Sequence, residues 1–400
     1  MKNYTLLLTC LLSLQLAAQV TSPQFITPIR GAYLQDFYLV NYVDWSVDDI
    51  EDHQCHHKTY DGHQGTDFVI RNFKQMDAGV DVCAAAPGVV TYLVDGLFDR
   101  NKTAVSGGLG NYVAIRHFND FYTYYGHLKK NSIAVQVGDT VAAKQIIGQV
   151  GSSGYASDPH LHFEVWYDTL YNWDPFVGPC GNTNSLWLDT LAYVHEFGVI
   201  DYDFSRQLLT LDTLKERLPS ENVFTPSDAI VSFWMQGYGV FPGDVSTLKW
   251  FDPVGSLWFQ FDYTHTAEWW YYYWWTYINV PPPEKAGQWT VQYLVNNDLK
   301  ILDTFTVTGA SSLQEPQAAV SARIFQNVGG ELVLQWPDHQ PFDDEISIVD
   351  MMGRQVYSAS VTSTTQSLTL PGLPMLPSAV YVLYSKNGRL KPCRFLYVGI

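Results

Sequence analysis

Short runs of alternating apolar and polar residues, separated by glycine, dominate residues 25–195 of the 400-residue chain. A period of two predicts β-strands, and no stretch of this region sustains the period of an amphipathic helix. The clearest hairpin would pair Tyr112–Phe118 with Phe121–Leu128 across a turn at Asn119-Asp120. The pattern therefore predicts an all-β first domain, for which we expect the bounds 19–195.

The rest of the chain continues the β pattern in two further segments. Residues 196–310 contain about seven short strand-like runs between turns rich in proline and glycine, a spacing typical of an immunoglobulin-like sandwich. The polar stretch 311–322 predicts a linker. Beyond it, residues 323–400 alternate between apolar and polar positions and predict a third β domain. We therefore expect an all-β chain whose first domain is followed by two β-sandwich (immunoglobulin-like) domains.

Residues 1–18 have the composition of a secretory signal peptide. Met1-Lys2-Asn3 gives a short basic start, Tyr4–Leu16 is almost free of polar groups, and Ala17-Ala18-Gln19 offers a small-residue cleavage site. A membrane anchor is the weaker alternative, because the apolar run is shorter than the ~20 residues that span a bilayer. Cys10 lies within the apolar run, which argues against a lipoprotein anchor there. We expect a secreted, periplasmic or surface protein without an integral membrane span after signal removal.

The length of the chain indicates how many domains it has, and its charge excludes one class of partner. Single hydrophobic cores usually stop growing at roughly 250 residues, so 400 residues predict several domains. Forty acidic residues against 23 basic ones give a net charge of -17. This charge would repel a phosphate backbone, so we expect no nucleic-acid partner.

Four cysteines remain after removal of the signal peptide: Cys55, Cys83, Cys180 and Cys393. An even number in an exported chain favours disulfides over a metal site, and the chain has no C-x-x-C pair. Three pairings are possible. We expect Cys55 to pair with Cys83, because both flank the same candidate site.

The motif PHLHFEV at 159–165 predicts a strand with one polar and one apolar face. Side chains alternate along a strand, so His160, His162 and Glu164 would share one face and the three apolar residues between and after them the other. Two imidazoles on one face lie about 7 Å apart. If one of them binds a metal, the other stands beside it as a catalytic group. Glu164 could support the metal ligand or face solvent.

The motif HQGTDF places His63 four residues before Asp67. Along an extended strand this separation would be roughly 13 Å, too far for two ligands of one ion, so the chain must bend. Gly62 and Gly65 provide residues that can adopt the required dihedral angles. Two histidines and one carboxylate with an open fourth position are the ligands of a catalytic zinc site, in which the metal lowers the pKa of water to about 7.

Taken singly, each motif has an ordinary structural explanation, but their order is informative. HQGTDF, GNYVAIRH, YTYYGHL, GDTVAAKQIIGQVGSSG and PHLHFEV follow one another over about 110 to 120 residues, and in that order and spacing the sequence resembles the lysostaphin/LytM-type zinc metallopeptidases. The resemblance implies a two-layer antiparallel β-sheet peptidase domain with a groove lined by loops. Its motifs are highly specific.

The resemblance carries over residue by residue. His63, Asp67 and His162 correspond to the ligands of one zinc ion per chain, and His127 and His160 correspond to the two catalytic histidines. One of these two would deprotonate the attacking water while the other steadies the tetrahedral oxyanion. The family cleaves peptide bonds in bacterial cell-wall peptides.

The sequence thus predicts an exported zinc endopeptidase whose substrates are peptidoglycan cross-links or stem peptides. Two alternatives remain open. One is a non-catalytic wall-binding or amidase-activating module that keeps the fold, and the other is a peptidase acting on secreted or foreign proteins. The intact set of five site residues favours an enzyme.

Two features lie outside the resemblance to peptidases. The run WWYYYWW at 269–275 places aromatic residues on both faces of an expected strand, which either fill a core or form a stacking surface for glycan or a wall partner. The C-terminal residues, with Ile346–Tyr357 and Val380–Leu383, resemble type IX secretion sorting domains, but Val380 stands where that pattern has glycine. This resemblance implies secretion machinery as a partner.

Overall fold

The computed structural model describes 11 stretches of the chain: residues 22–104, 106–189, 191–309, 322–326, 332–335, 342–350, 355–363, 367–370, 376–377, 379–386 and 392–397. The predicted signal peptide lies outside these residues, as does nearly all of the predicted linker. The described residues form two compact units. The first comprises the chain up to Ser220, Ser232–Pro242 and Thr266–Thr276, and the second comprises Glu221–Val231, Gly243–His265 and the described residues from Tyr277 onward.

The first unit is built on an eight-stranded antiparallel sheet in the order β1-β2-β9-β6-β5-β4-β7, with β10 also paired to β9, and a small second sheet of β3 and β8. A six-residue helix, α1 (Phe73–Ala78), follows β2. The strands are β1 Phe37–Asn41, β2 Thr66–Ile70, β3 Asp81–Cys83, β4 Gly88–Val94, β5 Tyr112–Arg116, β6 Phe121–Gly126, β7 Thr140–Val141, β8 Ile146–Gln149, β9 His160–Tyr167 and β10 Tyr171–Asn172.

The predicted hairpin is present as β5 and β6. A short 3-10 turn at Phe118–Asp120 joins the two strands, and Asn119 and Asp120 adopt left-handed backbone angles with φ of 55° and 58°. The apolar face of β9, predicted from alternation, packs into the main core with Leu161, Phe163 and Val165 almost fully buried. This packing holds the opposite, polar face of β9 in a defined position.

The middle of the chain forms two more sheets, one in the order β11-β13-β16 and one in the order β12-β18-β17-β14-β15. The first of these lies mainly in the first unit and the second in the second unit. A short helix α2 (Leu211–Glu216) and a 3-10 turn (Pro283–Lys285) accompany them. The strands are β11 Gly198–Ser205, β12 Val223–Phe224, β13 Ile230–Tyr238, β14 Val245–Phe251, β15 Leu257–Thr264, β16 Tyr272–Asn279, β17 Gly287–Val295 and β18 Asp298–Val307.

The C-terminal part of the second unit contains a three-stranded sheet, β19-β20-β23, and a four-stranded antiparallel sheet, β22-β21-β24-β25. Leu334, Ile348 and Leu383 lie in its buried core. The strands are β19 Arg323–Gln326, β20 Leu332–Gln335, β21 Phe342–Asp350, β22 Gln355–Ser363, β23 Ser367–Thr369, β24 Ala379–Ser385 and β25 Cys393–Tyr397.

The nearly all-β composition confirms the predicted fold class, whereas the predicted domain boundaries and sandwich architectures stay predictions. Among the described residues, no helix is long and apolar enough to cross a membrane.

The predicted pairing of Cys55 with Cys83 is wrong. Cys55 is bonded to Cys180, 125 residues further along the chain. The backbone N–H of Cys180 donates to the carbonyl of His53, which brings the two loops together. Cys83 lies on the core strand β3 as a buried free thiol, 3.8 Å from the carbonyl oxygen of Thr27. The packing of Cys83 into the core thus keeps it apart from the loop that carries Cys55.

Candidate metal centre and active site

His63, Asp67 and His162 converge where β2 begins beside β9 in the main sheet. The Nε2 atom of His63 lies 3.2 Å from Nδ1 of His162 and 3.2 Å from Oδ1 of Asp67. The third separation, from Nδ1 of His162 to Oδ1 of Asp67, is 2.8 Å. All three residues are buried. The structure therefore brings together the three side chains that the sequence predicts as metal ligands.

Strand pairing explains two of these three positions. Asp67 on β2 and His162 on β9 are direct partners in the antiparallel register, and directly opposite residues on one face have closely spaced side chains. His63 reaches them because the chain bends before β2 begins at Thr66, with Gly62 in the left-handed region at a φ of 73°. The bend predicted from the spacing is present.

Gly65 serves the site by its lack of a side chain rather than by unusual backbone angles. A Cβ atom at this position would lie 2.7 Å from both Cε1 and Nε2 of His162 and 2.8 Å from the carbonyl oxygen of Phe163. Only glycine allows the backbone to approach the imidazole this closely.

In each of the two imidazoles, the ring nitrogen that faces away from the cluster makes a contact that fixes the orientation of the ring. The Nδ1 atom of His63 lies 2.6 Å from the carbonyl oxygen of Tyr42, and Nε2 of His162 lies 2.9 Å from Oε1 of Glu164. Both partners are acceptors, so each of these nitrogens donates its N–H. In the neutral rings, the lone pairs of Nε2 of His63 and Nδ1 of His162 therefore face each other beside the carboxylate of Asp67.

This donor set fits a zinc ion. Two lone pairs and a carboxylate oxygen that face one another at 2.8 to 3.2 Å repel unless a cation or a proton lies between them. Zinc bonds of 2.0 to 2.1 Å in a tetrahedron place ligand atoms about 3.3 Å apart. Hydrogen bonds from metal-binding histidines to carbonyl and carboxylate oxygens, as made here to Tyr42 and Glu164, are typical of such sites.

Asp67 is held as a carboxylate. Burial raises its pKa, but the nearby imidazoles of His63 and His160 and the close contacts of His162 and His63 with the carboxylate outweigh burial, so the pKa of Asp67 lies well below its usual range. Asn41 donates to Oδ2 at 2.8 Å, which leaves Oδ1 directed at the two imidazoles. The charge of Asp67 is thus available to a cation at this point.

His127 and His160 lie together beside this cluster. Their ring centroids are 4.5 Å apart, and the ring of His127 is 5.6 Å from that of His162. The Nδ1 atom of His127 donates to the carbonyl of Ser153 at 2.7 Å, and Nδ1 of His160 donates to the carbonyl of Asp158 at 2.8 Å. In each ring, Nε2 is therefore the nitrogen available for proton transfer. Both candidate catalytic residues therefore have the same tautomer, set by backbone.

The position of His127 depends on an unusual backbone conformation. It follows β6 with a φ of 59°, and its N–H donates to the carbonyl of Leu109 at 2.7 Å. A non-glycine residue in this region costs on the order of 1–3 kcal/mol, and such residues cluster at functional sites. Burial, together with His160 and His162, keeps the pKa of His127 well below its usual range, so the ring is neutral and its Nε2 carries a lone pair.

A cavity of about 340 Å³ opens onto Asp67 and His160. One wall comes from Glu268–Tyr271, which lie in the first unit, and the other includes Tyr60 and Tyr155. The sequence alone leaves the aromatic run undecided between core and surface, and the structure contains both. Trp270 is buried, whereas Trp269 is about half exposed.

The sequence alone leaves the role of Glu164 open and assigns none to Tyr42. The alternation along β9 predicts the position of Glu164, because it places this residue on the same face as His162. No local motif marks Tyr42, because it acts through its backbone carbonyl.

Comparison with known proteins agrees with this geometry. Residues 61–175 match the model of Peptidase family M23, so this part of the chain is a peptidase M23 domain. The match contains all five residues of the candidate site but not Glu268–Tyr271.

Two curated relatives are each similar to about a quarter of this chain. Peptidoglycan DD-endopeptidase ShyC of Vibrio cholerae is 36% identical over 109 residues, 27% of this chain and 21% of that protein. DD-carboxypeptidase/endopeptidase Mpg of Neisseria meningitidis is 41% identical over 87 residues, 22% of this chain and 17% of that protein. The chain thus spans about a fifth of the length of these curated relatives.

Among solved structures, a mutant form of the catalytic domain of the prophage-encoded M23 protein EnpA from Enterococcus faecalis is 25% identical. The alignment covers 38% of this chain and 94% of that domain, with a TM-score of 0.26.

Proposed function

We propose that this chain, which carries a peptidase M23 domain, is an exported zinc-dependent endopeptidase that hydrolyses peptide bonds in bacterial peptidoglycan. The observation that carries the proposal is the convergence of Nε2 of His63, Oδ1 of Asp67 and Nδ1 of His162 within 3.2 Å of one another. The name of the relative ShyC, a peptidoglycan DD-endopeptidase, supports peptidoglycan as the substrate.

The three converging residues would hold zinc. Bound there, zinc supplies Lewis-acid chemistry, which polarises a carbonyl and lowers the pKa of water to about 7. Glu164 and the carbonyl of Tyr42 hold the two imidazoles in the tautomer and orientation that this requires. Asn41 keeps the carboxylate of Asp67 directed at the same point.

His127 and His160 perform the proton transfers. Each donates Nδ1–H to a backbone carbonyl, so Nε2 of one ring can accept a proton from the attacking water. The N–H then formed can return the proton to the leaving amine. The other ring, when protonated at Nε2, donates a hydrogen bond to the oxyanion of the tetrahedral intermediate.

Export and sorting are the remaining parts of the proposal. Residues 1–18 have the signal-peptide pattern, and peptidoglycan lies outside the cytoplasm. The C-terminal residues, with their resemblance to sorting domains, would engage secretion machinery. The disulfide between Cys55 and Cys180 suits an oxidising compartment.

Catalysis and metal binding are separated by variants of the full-length protein. His127→Ala and His160→Ala should retain zinc and release no new amino termini from purified peptidoglycan, whereas the exposed residue His56 provides a control variant, His56→Ala, that keeps both properties. A non-catalytic wall-binding module would bind peptidoglycan equally well with and without His127 or His160 and would cleave none in any form. Cleavage of unrelated secreted proteins with no release from peptidoglycan would favour a protein-directed peptidase.

A further inference from the structure

The cleft above the metal centre has a wall that the M23 match does not include. Trp269 and Val240 form an isolated antiparallel bridge, in which the N–H of Trp269 donates to the carbonyl of Val240 at 3.0 Å. The hydroxyl of Tyr271 lies 3.0 Å from the carbonyl of Arg71, directly after β2. These contacts tie the segment Glu268–Tyr271 to Val240 and to the residue directly after the strand that carries Asp67.

Trp270 forms the base of this wall. It is 6% exposed, packs in a cluster with Val40 and Val69, and its ring centroid lies 4.5 Å from Nζ of Lys58. Its indole N–H donates to Oε1 of Glu268 at 2.7 Å. The base therefore holds Glu268 and the neighbouring Trp269 at the cleft.

The surface that the wall presents to the cleft is aromatic and acidic. Trp269 is 52% exposed there, and Tyr155 and Tyr60 on other parts of the lining are 58% and 44% exposed. The described residues that line the cleft include three carboxylates and no lysine or arginine. Such a lining favours a cationic group over an anionic one.

The three carboxylates are not equivalent. Asp67 belongs to the metal centre, and Asp158 forms a salt bridge with Lys215 at 3.0 Å. Glu268 receives a hydrogen bond from the neutral indole of Trp270, and its other oxygen lies 3.8 Å from Nδ1 of His57, whose side chain is 65% exposed. The side chain of Glu268 is 20% exposed, and a 3.8 Å contact with an exposed imidazole is weak, so the carboxylate remains available to a ligand.

We infer that Glu268 and Trp269 form a specificity subsite that selects peptides carrying an ammonium side chain. The carboxylate of Glu268 pairs with the ammonium while the indole face of Trp269 covers it, an arrangement whose attraction increases as water is excluded. The inference rests on the proposed function, because it takes the occupant of the cleft to be a peptide. It adds the chemical class of that peptide.

The test measures binding and cleavage separately on the zinc-loaded full-length protein. The probes are N-acetyl-L-Ala-γ-D-Glu-L-Lys-D-Ala-D-Ala and the same peptide with norleucine in place of lysine, which differ only in the ammonium group. The variants are Glu268→Gln, which keeps an acceptor for Trp270 but removes the charge, and Trp269→Leu, which keeps an apolar side chain without the π face. Trp275→Ala, at another exposed tryptophan of the same aromatic run, is the matched control.

Wild type and the Trp275→Ala control should bind the lysine peptide about five- to tenfold more tightly than the norleucine peptide. Each of Glu268→Gln and Trp269→Leu should reduce this preference to about twofold or less, with little change for norleucine. Equal binding of both peptides by wild type, or an unchanged preference in both variants, overturns the inference.

The two proposals fail in different ways. A preference for lysine without release of amino termini from peptidoglycan contradicts the proposed endopeptidase and leaves the subsite standing. Cleavage of peptidoglycan with no preference between the two probes contradicts the subsite and leaves the proposed endopeptidase standing.

Discussion

The Oδ1 atom of Asp67 lies 2.8 Å from Nδ1 of His162, because antiparallel pairing places these two residues directly opposite each other on β2 and β9. His63 reaches the same point from the preceding turn. A site built from sheet register is rigid, since a shift of one residue would turn every side chain of β9 to the other face. The candidate metal centre therefore depends on the pairing of these strands and on the contacts that orient each ligand.

Glu164→Gln should weaken zinc binding about tenfold, a loss typical of outer partners of metal ligands. Glu164 accepts from Nε2 of His162 through one oxygen and from Nε1 of Trp166 through the other. A glutamine amide can accept at only one of these positions, and the other N–H then faces an NH₂ group. Competition with a zinc chelator measures the affinity. The exposed control Glu284→Gln should be unchanged, and equal affinities of all three proteins would contradict this role for Glu164.

Gly65→Ala should displace the imidazole of His162, because the added Cβ would lie 2.7 Å from two of its ring atoms. We expect zinc affinity to fall at least tenfold and stability to fall by roughly 1–3 kcal/mol, as for other overpacked sites. Gly309→Ala is the control, since its Cβ would be 3.7 Å from the nearest atom. Chelator competition and urea unfolding report the two effects, and a Gly65→Ala protein with normal zinc affinity would disprove the steric role.

Loss of the disulfide should destabilise the first unit. The bond between Cys55 and Cys180 closes a loop with a sequence separation of 125, and restricting so long a loop in the unfolded chain stabilises the folded state by roughly 2–5 kcal/mol. The variant Cys55→Ser with Cys180→Ser should unfold at correspondingly lower urea concentration than wild type. Cys393→Ser removes a thiol that is not part of a disulfide and serves as the control. A double variant as stable as the control would show that the bond adds little.

Lys58 should make stability depend on pH. Burial lowers its pKa to about 7, although Asp52 opposes the shift. Between pH 7 and about 10 the unfolded chain then binds a proton at Lys58 that the folded protein does not, so the free energy of unfolding rises with pH, by at most about 1.4 kcal/mol per unit. This gain in the free energy of unfolding is complete above the pKa that Lys58 has in the unfolded chain, and it is lost as pH falls toward 7.

Lys58→Met should remove this rise, because methionine fills similar space without a titrating group. Urea unfolding of wild type and variant between pH 7 and pH 9.5 measures it. If the stability difference between the two proteins stays constant across this range, Lys58 keeps its ordinary pKa, and its contacts with the ring of Trp270 and the carbonyl of Val194 outweigh burial.

Much of the site could be predicted because its determinants are local. Alternation along β9 places His160, His162 and Glu164 on one face, and the spacing of His63 and Asp67 requires a bend. The disulfide could not be predicted in the same way, since Cys180 is far from Cys55 in sequence and only the folded loops bring them together. Local sequence instead suggested Cys83, which the core holds elsewhere.

The aromatic wall shows a second limit of local reasoning. Adjacent tryptophans in one run have opposite roles, because Trp270 packs over Lys58 while Trp269 faces the cleft. Alternation predicts that neighbours point in different directions, but which of them meets the core depends on the bridge between Trp269 and Val240. That contact joins distant parts of the chain and leaves no signal in the run itself.

The most direct test of the zinc endopeptidase is one paired measurement of metal content and amino termini released from purified peptidoglycan. It compares full-length wild type with His162→Ala. The geometry predicts one zinc per chain and release of new amino termini by wild type, with both lost in the variant. A wild-type protein that takes up no zinc, or a His162→Ala protein that binds zinc and cleaves as wild type does, would contradict the account.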